Sequence, residues 1–464
     1  MTTAIDRALR DTTLFPLWLD SAAAPPVEAQ LIGRTEADLV IVGGGFTGLW
    51  AAVQAKEADP GRDVVLIEAG KVAYGASGRP GAIVSTSVMH GLSNAARVFP
   101  DDLDALETLG QDNMAGFTDS LARHDIDAEM EWGGELTTAV GPAGVADVRE
   151  EYELHLQHGH DVVLLDRKEV RAEVDSPLYH AGVWSRKQSG TVHPAKLAWG
   201  LKAAAIRLGV RLHEFSPLVD LAPDGAAMRV RTHDGEVRAA KVLLATNAFA
   251  SGHPHIKRRV TAIRDRIVAT EPLSDEQLAR IGWRHRQGIY DTRVQLNYTR
   301  LTRDNRIVFG GRLGYYYGGD TDPAADRDIA TYRRLAGAFF ATFPQLEDDV
   351  RFSHAWGGPI GLTTRMAVHF QRYFDGRAIY AGGYSGFGVS ASRFGARIGL
   401  ALLDDPDAPE GKLAFARTMP GVIPPEPFRW IGAKITMYAL NDVDTKGGWR
   451  KAWIRMVHAM GFPV

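Results

Sequence analysis

Asp38-Leu39-Val40-Ile41-Val42-Gly43-Gly44-Gly45-Phe46-Thr47-Gly48-Leu49-Trp50 is the stretch on which the reading of this 464-residue chain turns. Leu39 to Val42 form a short continuous apolar run, the pattern of a parallel strand buried on both faces. It empties directly into Gly43, Gly45 and Gly48 in GxGxxG spacing. From Phe46 a helical period takes over, with Leu49, Ala52 and Val53 on one stripe, until Asp59-Pro60-Gly61 stops it before a second apolar run, Val64 to Ile67. Glu68 closes that run, twenty positions after Gly48. The glycines serve a tight turn, the close approach of backbone to a pyrophosphate, and the packing of helix on strand. Free N–H groups and partial positive charge at the helix start suit phosphates, and a Glu68 carboxylate suits a ribose diol while repelling a 2′-phosphate. The segment is therefore expected to bind an ADP moiety, and not that of NADP.

Gly75-Ala76-Ser77-Gly78-Arg79 follows too soon after Glu68 to open the next helix of a simple nicotinamide domain. It resembles the second flavin-contacting stretch of the D-amino-acid oxidase superfamily, the glutathione-reductase-like FAD oxidoreductases that include glycine and sarcosine oxidases. Gly45 to Trp50, Gly75 to Arg79 and the later Gly383-Tyr384-Ser385-Gly386 look most like the gamma-glutamylputrescine oxidase branch, and the resemblance extends from Leu17-Trp18-Leu19 to Pro424-Pro425-Glu426-Pro427. It implies an α/β fold: a glutathione-reductase-like (Rossmann-type) FAD-binding domain with an interleaved α+β substrate domain on a mostly antiparallel sheet, and non-covalent FAD as cofactor. There is one departure. Where the branch commonly reads Arg-Asn-Gly-Gly, this chain has Arg79-Pro80-Gly81-Ala82, so a side-chain amide and a glycine near the flavin are missing.

Composition sets the bounds. With 45% hydrophobic and 23% charged residues the chain reads as an ordinary soluble globular protein, long enough for two domains. A net charge of −3 offers no field for nucleic acid or an anionic membrane. The absence of cysteine excludes a disulfide, fits a reducing cytoplasm, and removes the cysteinyl-flavin link of sarcosine oxidases. The best signal-peptide core, Leu14 to Leu19, is broken by Pro16, and no run approaches the ~18 apolar residues of a bilayer span.

In order, the chain is expected to alternate between FAD-binding segments (1–92, 181–260, 351–405) and substrate-domain segments (93–180, 261–350), with a helical tail at 406–464. The first substrate segment reads as helices, Asp102 to Leu121 and Val145 to His155, with strand-like Glu135 to Val140 and Asp161 to Leu165. His155, His158 and His160 show no ligand spacing and read as a solvated helix end, with no metal expected. Pro194 opens a helix striped by Leu197, Leu201 and Leu208 and ended by Gly209, before the strand Val210 to His213. In the resembling family the backbone just beyond that strand meets adenine, which points to Leu218. The hairpin Met228 to Ala239 turns at Asp234-Gly235. Next, Val242 to Asn247 forms a buried strand whose Ala245-Thr246-Asn247 resembles the Ala-Thr-Gly that passes under FAD. In the second substrate segment Arg266 to Leu273, Val294 to Leu301 and Arg306 to Gly311 are strand-like. The last FAD segment ends a strand, Ile379 to Gly383, in glycines and starts a helix striped by Phe394, Ile398 and Leu402. Backbone N–H groups at that helix start, aimed at the flavin N1 and C2 carbonyl, would stabilise negative charge on the reduced ring. In the tail, Trp430 to Leu440 and Trp449 to Met460 are amphipathic and basic. They fit a membrane surface or, more plainly, packing across the back of the FAD domain or against a second subunit.

The resemblance and the motifs together give the expected cofactor residues: Gly43, Gly45, Phe46, Thr47, Gly48, Glu68, Ala69, Gly75, Ala76, Ser77, Arg79, Gly81, Ala82, Leu218, Ala245, Thr246, Asn247, Gly358, Gly383, Tyr384, Gly386, Phe387, Gly388 and Val389. What it implies chemically is removal of a hydride from an amine-bearing carbon, giving an imine that hydrolyses. The cofactor carries the difficult step, so no triad or metal cluster is required. Arg79, Trp356 and Tyr384 are the candidate catalytic residues, Arg79 as a positive charge for dioxygen reduction. Arg300, Arg312 and Arg365 are candidates for a substrate carboxylate or for ordinary ion pairs. Tyr315, Tyr316 and Tyr317, in a glycine-rich loop, either cap the site by cation–π contact or pack between domains. Phe387 stands where some members of the branch have histidine, which with Pro80 suggests a drier site. Three readings result: an amine or amino-acid oxidase using dioxygen, an amine dehydrogenase serving a quinone or protein acceptor, and a non-oxidase FAD domain of the tRNA-modifying type, for which no basic face is apparent. The first is favoured, with a small-molecule amine as substrate, no nucleic acid and no membrane. The sequence does not fix the oligomeric state.

Overall fold

The computed structural model of the chain describes residues 3–187, 189–252, 256–441 and 443–462, and is built on two large sheets between which the backbone passes several times. Gly33–Val42 sits inside the first sheet, whose order is His369–Tyr373, Ala378–Gly382, Gly235–Leu244, Gly33–Val42, Val64–Ile67, Arg211–His213. These neighbours run parallel except the edge strand His369–Tyr373. Alternation along the central strand sends Leu39 and Ile41 to one face, where helices Phe46–Ala58, Pro194–Arg207 and Ala391–Asp404 lay Leu49, Leu201 and Ile398 on them. Val40 and Val42 point the other way, onto Met228, Val237 and Tyr380. Each such fully buried side chain contributes about 1.5–3 kcal/mol, and burial on both faces is why the strand reads as an unbroken apolar run. The strand also extends back to Gly33, because Gly33 to Ala37 pair with Gly235 to Ala239. That extension is half exposed and polar, so no apolar run announced it.

The second sheet has the order Phe352–Leu362, Thr261–Thr270, Ile307–Gly314, Tyr298–Leu301, Gly288–Asp291, Glu135–Val140, Tyr179–Ser185, Val162–Leu165. It is antiparallel apart from Gly288–Asp291 beside Glu135–Val140. Helix Ile329–Thr342 covers it, with Leu335 and Phe339 on Val268 and Phe309.

Three expectations change here. Phe352–Leu362 pairs with Thr261–Thr270 in the second sheet, so the chain rejoins the first sheet at His369 and not near 351. Likewise Tyr179–Ser185 belongs to the second sheet, past the expected crossing at 181. Of Val294 to Leu301 only Tyr298–Leu301 is strand, because Asp291 Oδ1 accepts from the N–H groups of Arg293 and Asn297 and holds the preceding residues in a turn.

The pairing of Thr261–Thr270 with Ile307–Gly314 slips at one point. Arg264 faces Gly314 and Arg266 faces Gly311, so Arg312 and Leu313 together oppose Asp265 in a β-bulge. No helix among the described residues is long and apolar enough to cross a membrane.

Candidate active site

The glycine turn after the first strand is shaped by contacts that exclude side chains. Gly43 has φ +113°, and a Cβ there would lie 2.8 Å from the Ala245 carbonyl oxygen; one on Gly48 would lie 1.8 Å from the Gly43 carbonyl oxygen. The helix therefore begins tight against the strand, its first N–H groups facing a cavity of about 1150 Å³. Ser77 Oγ accepts from Phe46 N at 2.8 Å, which fastens the second glycine-rich stretch to the helix start. Glu68 closes the second strand with its carboxylate accepting from Gly44 N (2.6 Å) and Gly70 N (2.8 Å), and burial raises its pKa. Thr47 Oγ1 donates to Tyr384 Oη at 2.8 Å, joining the first and last motifs across one cavity.

Of the expected cofactor residues, all but Gly48 and Gly383 line that cavity. Both exceptions act from behind it: Gly48 through the contact just described, and Gly383 by φ +83° and an N–H donated to Asn247 Oδ1 at 2.9 Å. Leu218, Ala245, Thr246 and Asn247 flank it on one side, and Gly386 to Val389 open onto it just before helix Ala391–Asp404. The cradle, the helix start and Glu68 fit an ADP-bearing cofactor, and the remaining volume leaves room for a flavin ring and a small substrate.

The candidate catalytic residues separate. Arg79 lines the cavity, its Nε donating to the Tyr74 carbonyl (2.9 Å) and its Nη1 to that of Gly357 (2.6 Å), 3.6 Å from the Asp326 carboxylate. Arg264 (2.6 Å) and Arg266 (3.5 Å) face the same carboxylate, so three guanidiniums surround one anion. Desolvation lowers the pKa of Arg79 and Asp326 opposes the shift. Tyr384 lines the cavity as well. Trp356 does not: its Nε1 donates to the Arg79 carbonyl at 2.9 Å, and Trp18, 6.3 Å away edge-on, donates to that of Pro80 at 2.9 Å. The two indoles clamp the backbone that carries Arg79.

None of the three candidate arginines, offered for a substrate carboxylate or for ordinary ion pairs, lines the cavity. Arg300 donates to the carbonyls of Val192 (2.5 Å) and Ala82 (3.3 Å), and burial lowers its pKa to about 10. Arg365, also lowered to about 10 by burial, donates to Thr418 O (2.9 Å) beneath the Phe99 ring. Arg312 donates to Gln295 Oε1 at 3.0 Å, behind the wall that Gln295 contributes. The tyrosine loop makes these contacts. Tyr315 donates to Glu426 Oε1 (2.5 Å), Tyr316 Oη accepts from Arg266 Nη2 (2.8 Å), and Tyr317 lies exposed against Trp430.

Phe387 is in the cavity, among residues the sequence did not single out. Its ring lies 4.3 Å from that of His90 and 5.8 Å from that of Tyr290, nearly parallel to the latter. Tyr290 in turn lies 6.4 Å from Tyr298. Burial pushes His90 down to about 4, so it is neutral at physiological pH. Tyr298 fills a slot between Gly81 and Gly310, where added Cβ atoms would come within 2.4 and 2.1 Å of its ring, and its O–H donates to Asp265 Oδ2 at 2.5 Å. Burial pushes the Asp265 carboxyl up to about 6 against that hydrogen bond. Asn94 and Arg97 also line the cavity, Arg97 Nη2 donating to Asn94 Oδ1 at 2.8 Å. One local signal existed: Arg264-Asp265-Arg266 is a charged triplet in a strand whose ten residues are all buried. From the tail, Met437, Leu440 and His458 line the same cavity, so its helices Phe428–Leu440 and Trp449–Ala459 reach the site, in place of the expected back of the nucleotide half. His155 and His160, expected at a solvated helix end, are instead partly buried, with Nδ1 atoms 2.7 Å apart and His160 bonded to Glu107; no group of three metal-ligating side chains occurs among the described residues.

A dinucleotide cradle opening on an aromatic chamber defines a flavin-dependent oxidoreductase. The model of the FAD dependent oxidoreductase (DAO) family matches residues 38–401, and the chain belongs to that family. It is 34% identical over 373 residues to the gamma-glutamylputrescine oxidoreductase of Escherichia coli, covering 79% of this chain and 83% of that one. It is 30% identical over 378 residues to the probable oxidoreductase OrdL of Haemophilus influenzae, covering 80% and 83%. Among solved structures, glycine oxidase from Geobacillus kaustophilus superposes with a TM-score of 0.69 at 16% identity, over 83% of this chain and 99% of that one. L-proline dehydrogenase from P. horikoshii does so with 0.65 at 17% identity, over 82% and 96%. The protein is thus an FAD-dependent oxidoreductase with the α/β architecture of those enzymes.

Proposed function

We propose that the protein oxidises a primary or secondary amine, such as an amino acid or polyamine conjugate, to an imine that water converts to an aldehyde or keto product, with dioxygen as acceptor. The observation that carries this reading is the chamber of Tyr290, Tyr298, Phe387 and His90, which adjoins Gly81 and the Gly386 turn in the cofactor cavity. FAD, held without a covalent bond by the Gly43–Thr47 turn, Glu68, Ser77 and the Gly386–Val389 turn, supplies the acceptor for the hydride that leaves the amine-bearing carbon. The chain excludes water and orients the amine. Aromatic faces attract an arriving ammonium by about 0.5–2 kcal/mol. Neutral His90 adds no repelling charge. Arg97, braced by Asn94, is the guanidinium available to a carboxylate elsewhere on the substrate. Three guanidiniums around Asp326 leave net positive charge behind Arg79, the field that dioxygen needs as it gains electrons. The two sheets are proposed to be the cores of an FAD-binding and a substrate domain, and the cysteine-free composition favours a cytoplasmic enzyme.

The test is anaerobic mixing of the FAD-loaded protein with a panel of amines while following the visible flavin band. Bleaching followed by recovery and peroxide on admitting air is the expected result. Bleaching without recovery in air would replace dioxygen by a quinone or protein acceptor, and failure of every amine to bleach the band would overturn the amine reading.

A further inference from the structure

Among the described residues only two carboxylates line the cavity, Glu68 at the nucleotide end and Asp265. The cofactor cradle does not account for the second. Asp265 sits in mid-strand opposite the bulge of Arg312 and Leu313, where Gly311 takes φ +144° and Arg312 φ +69°. Bulges of this kind re-aim a side chain, and this one puts the Gly311 N–H in reach of the Asp265 carboxylate. Arg266 N donates to Oδ1 (2.8 Å) and Tyr298 Oη to Oδ2 (2.5 Å). Arg264 and Arg266 on its own strand pair with Asp326; Arg266 Nη1 also donates to the Asp265 backbone carbonyl (2.9 Å) and its charge favours the Asp265 carboxylate from there, but no cation among the described residues lies within 4.0 Å of that carboxylate. A buried carboxylate held by two hydrogen bonds, lining a cavity and with no cation in ion-pair contact, is a place prepared for a cation. The wall beside it is aromatic, from Tyr298 through Tyr290 to Phe387.

Resting on the amine reading above, we propose that Asp265 receives the substrate's ammonium group and takes a proton from it, which assigns an aliphatic amine, cationic in water, as the substrate class. One N–H bond breaks, one O–H bond forms on the Asp265 carboxylate, and the electron pair stays on nitrogen as the lone pair of a neutral amine. In water the proton would remain on nitrogen. In a dry chamber the neutral pair gains on the ion pair, because both charges lose their solvation. The charged and titratable groups around Asp265 are Tyr298, Tyr290, Arg264 and Arg266, with Arg312 across the bulge and Asp326 and Arg79 behind Gly357.

The experiment compares FAD-loaded wild type with Asp265→Asn and Tyr298→Phe. Anaerobic bleaching by an alkylamine should fall at least about 100-fold in Asp265→Asn at pH 7. It should then climb about tenfold per pH unit toward the amine's own pKa near ~10, since only amine already neutral can react; wild type should stay nearly flat over that range. tert-Butylamine, which has no hydrogen on its α-carbon and cannot be oxidised, gives a readout independent of turnover. Its binding, followed by the flavin spectrum or calorimetry, should weaken at least about 30-fold in Asp265→Asn and less than about 10-fold in Tyr298→Phe, with both variants retaining FAD. An Asp265→Asn profile scaled down equally at every pH, with tert-butylamine bound as in wild type, would overturn the proposal. If Asp265→Asn does not retain FAD, Tyr298→Phe decides: loss of a donor should move the acid limb of bleaching to higher pH, and an unmoved limb counts against Asp265. Should no amine bleach wild type, the amine reading falls, while tert-butylamine binding still tests Asp265 by itself.

Discussion

The two ends of the cavity recognise their ligands by opposite means. The nucleotide end is built on backbone: Gly43 and Gly48 leave no room for a methyl group, so the helix starts tight against the strand, its Phe46 N–H taken up by Ser77 Oγ and the Gly44 N–H by Glu68. At the proposed amine end the wall is made of side chains. His90, Asp265, Tyr290, Tyr298 and Phe387 come from five separated segments and meet only in the folded state. A site made of backbone constrains every residue of one short stretch and leaves a spaced pattern there. A site made of side chains constrains one residue at a time, and its pattern is dispersed.

The largest effect that could break this contrast is at Gly48. A Cβ 1.8 Å from the Gly43 carbonyl oxygen meets backbone, which cannot swing aside as a side-chain end could. Gly48→Ala should cost at least about 1000-fold in FAD affinity, near 4 kcal/mol, read as flavin lost on purification and by calorimetric titration. Retention of FAD as in wild type would show that the turn is not what holds the nucleotide.

Next in size is the pH dependence of the amine end. Burial lifts the Asp265 carboxyl from an ordinary 3.8 to about 6, so between those values the folded chain keeps a proton that the unfolded chain has released. Fewer protons are bound on unfolding, so stability falls as pH rises through that window, by about 3 kcal/mol at most. Asp265→Asn should remove this slope. Denaturant unfolding at pH 4.5, 5.5 and 7 should show the variant gaining on wild type until about pH 6 and level thereafter. A smaller effect is expected at Glu68, whose carboxylate already accepts from two backbone N–H groups. Glu68→Gln should weaken FAD by about 10- to 30-fold, roughly 1.5–2 kcal/mol, in a calorimetric titration, while leaving tert-butylamine binding to the loaded protein unchanged.

The same contrast explains what could be read in advance. The strand, glycine turn, helix and second strand to Glu68 are local in sequence, and each element agrees with its neighbours, so this part of the fold was legible, as was the gathering of nearly all the expected cofactor residues around one cavity. Trp356, Gly357 and Gly358 lie in a strand of the second sheet. Its glycines make room for the side chains of Arg79 and Asp326. The arginines were harder to read. Arg300 and Arg365 are satisfied by carbonyls 108 and 53 positions away, and a guanidinium bonded to distant backbone looks in sequence like one awaiting a carboxylate. Conversely Tyr298 stood inside an expected strand, but the glycines that shape its slot, Gly81 and Gly310, come from two different segments.

Ala82 lies on the border between the two ends and gives the smallest effect. It stands where relatives of the resembling branch commonly have glycine, and it holds φ +61° with its carbonyl accepting from Val192 N (3.0 Å) and Arg300 Nη1 (3.3 Å). Those two donors fix the carbonyl, so the residue cannot relax toward negative φ without leaving a buried guanidinium short of an acceptor. The left-handed conformation costs a residue with a Cβ about 1–2 kcal/mol. Glycine gives part of that back by its greater freedom when unfolded. Ala82→Gly should therefore stabilise the protein by about 0.5–1 kcal/mol, a rise of roughly 1–3 °C in Tm, with the rate of flavin bleaching by amine unchanged within about twofold. A rise in Tm accompanied by a large change in that rate would mean that the methyl group shapes the chamber, and that the boundary between backbone recognition and side-chain recognition runs through Ala82 itself. No rise at all would mean that the strand Ile83–Ser85, paired with Ser189–Thr191, imposes this backbone on whatever residue precedes it.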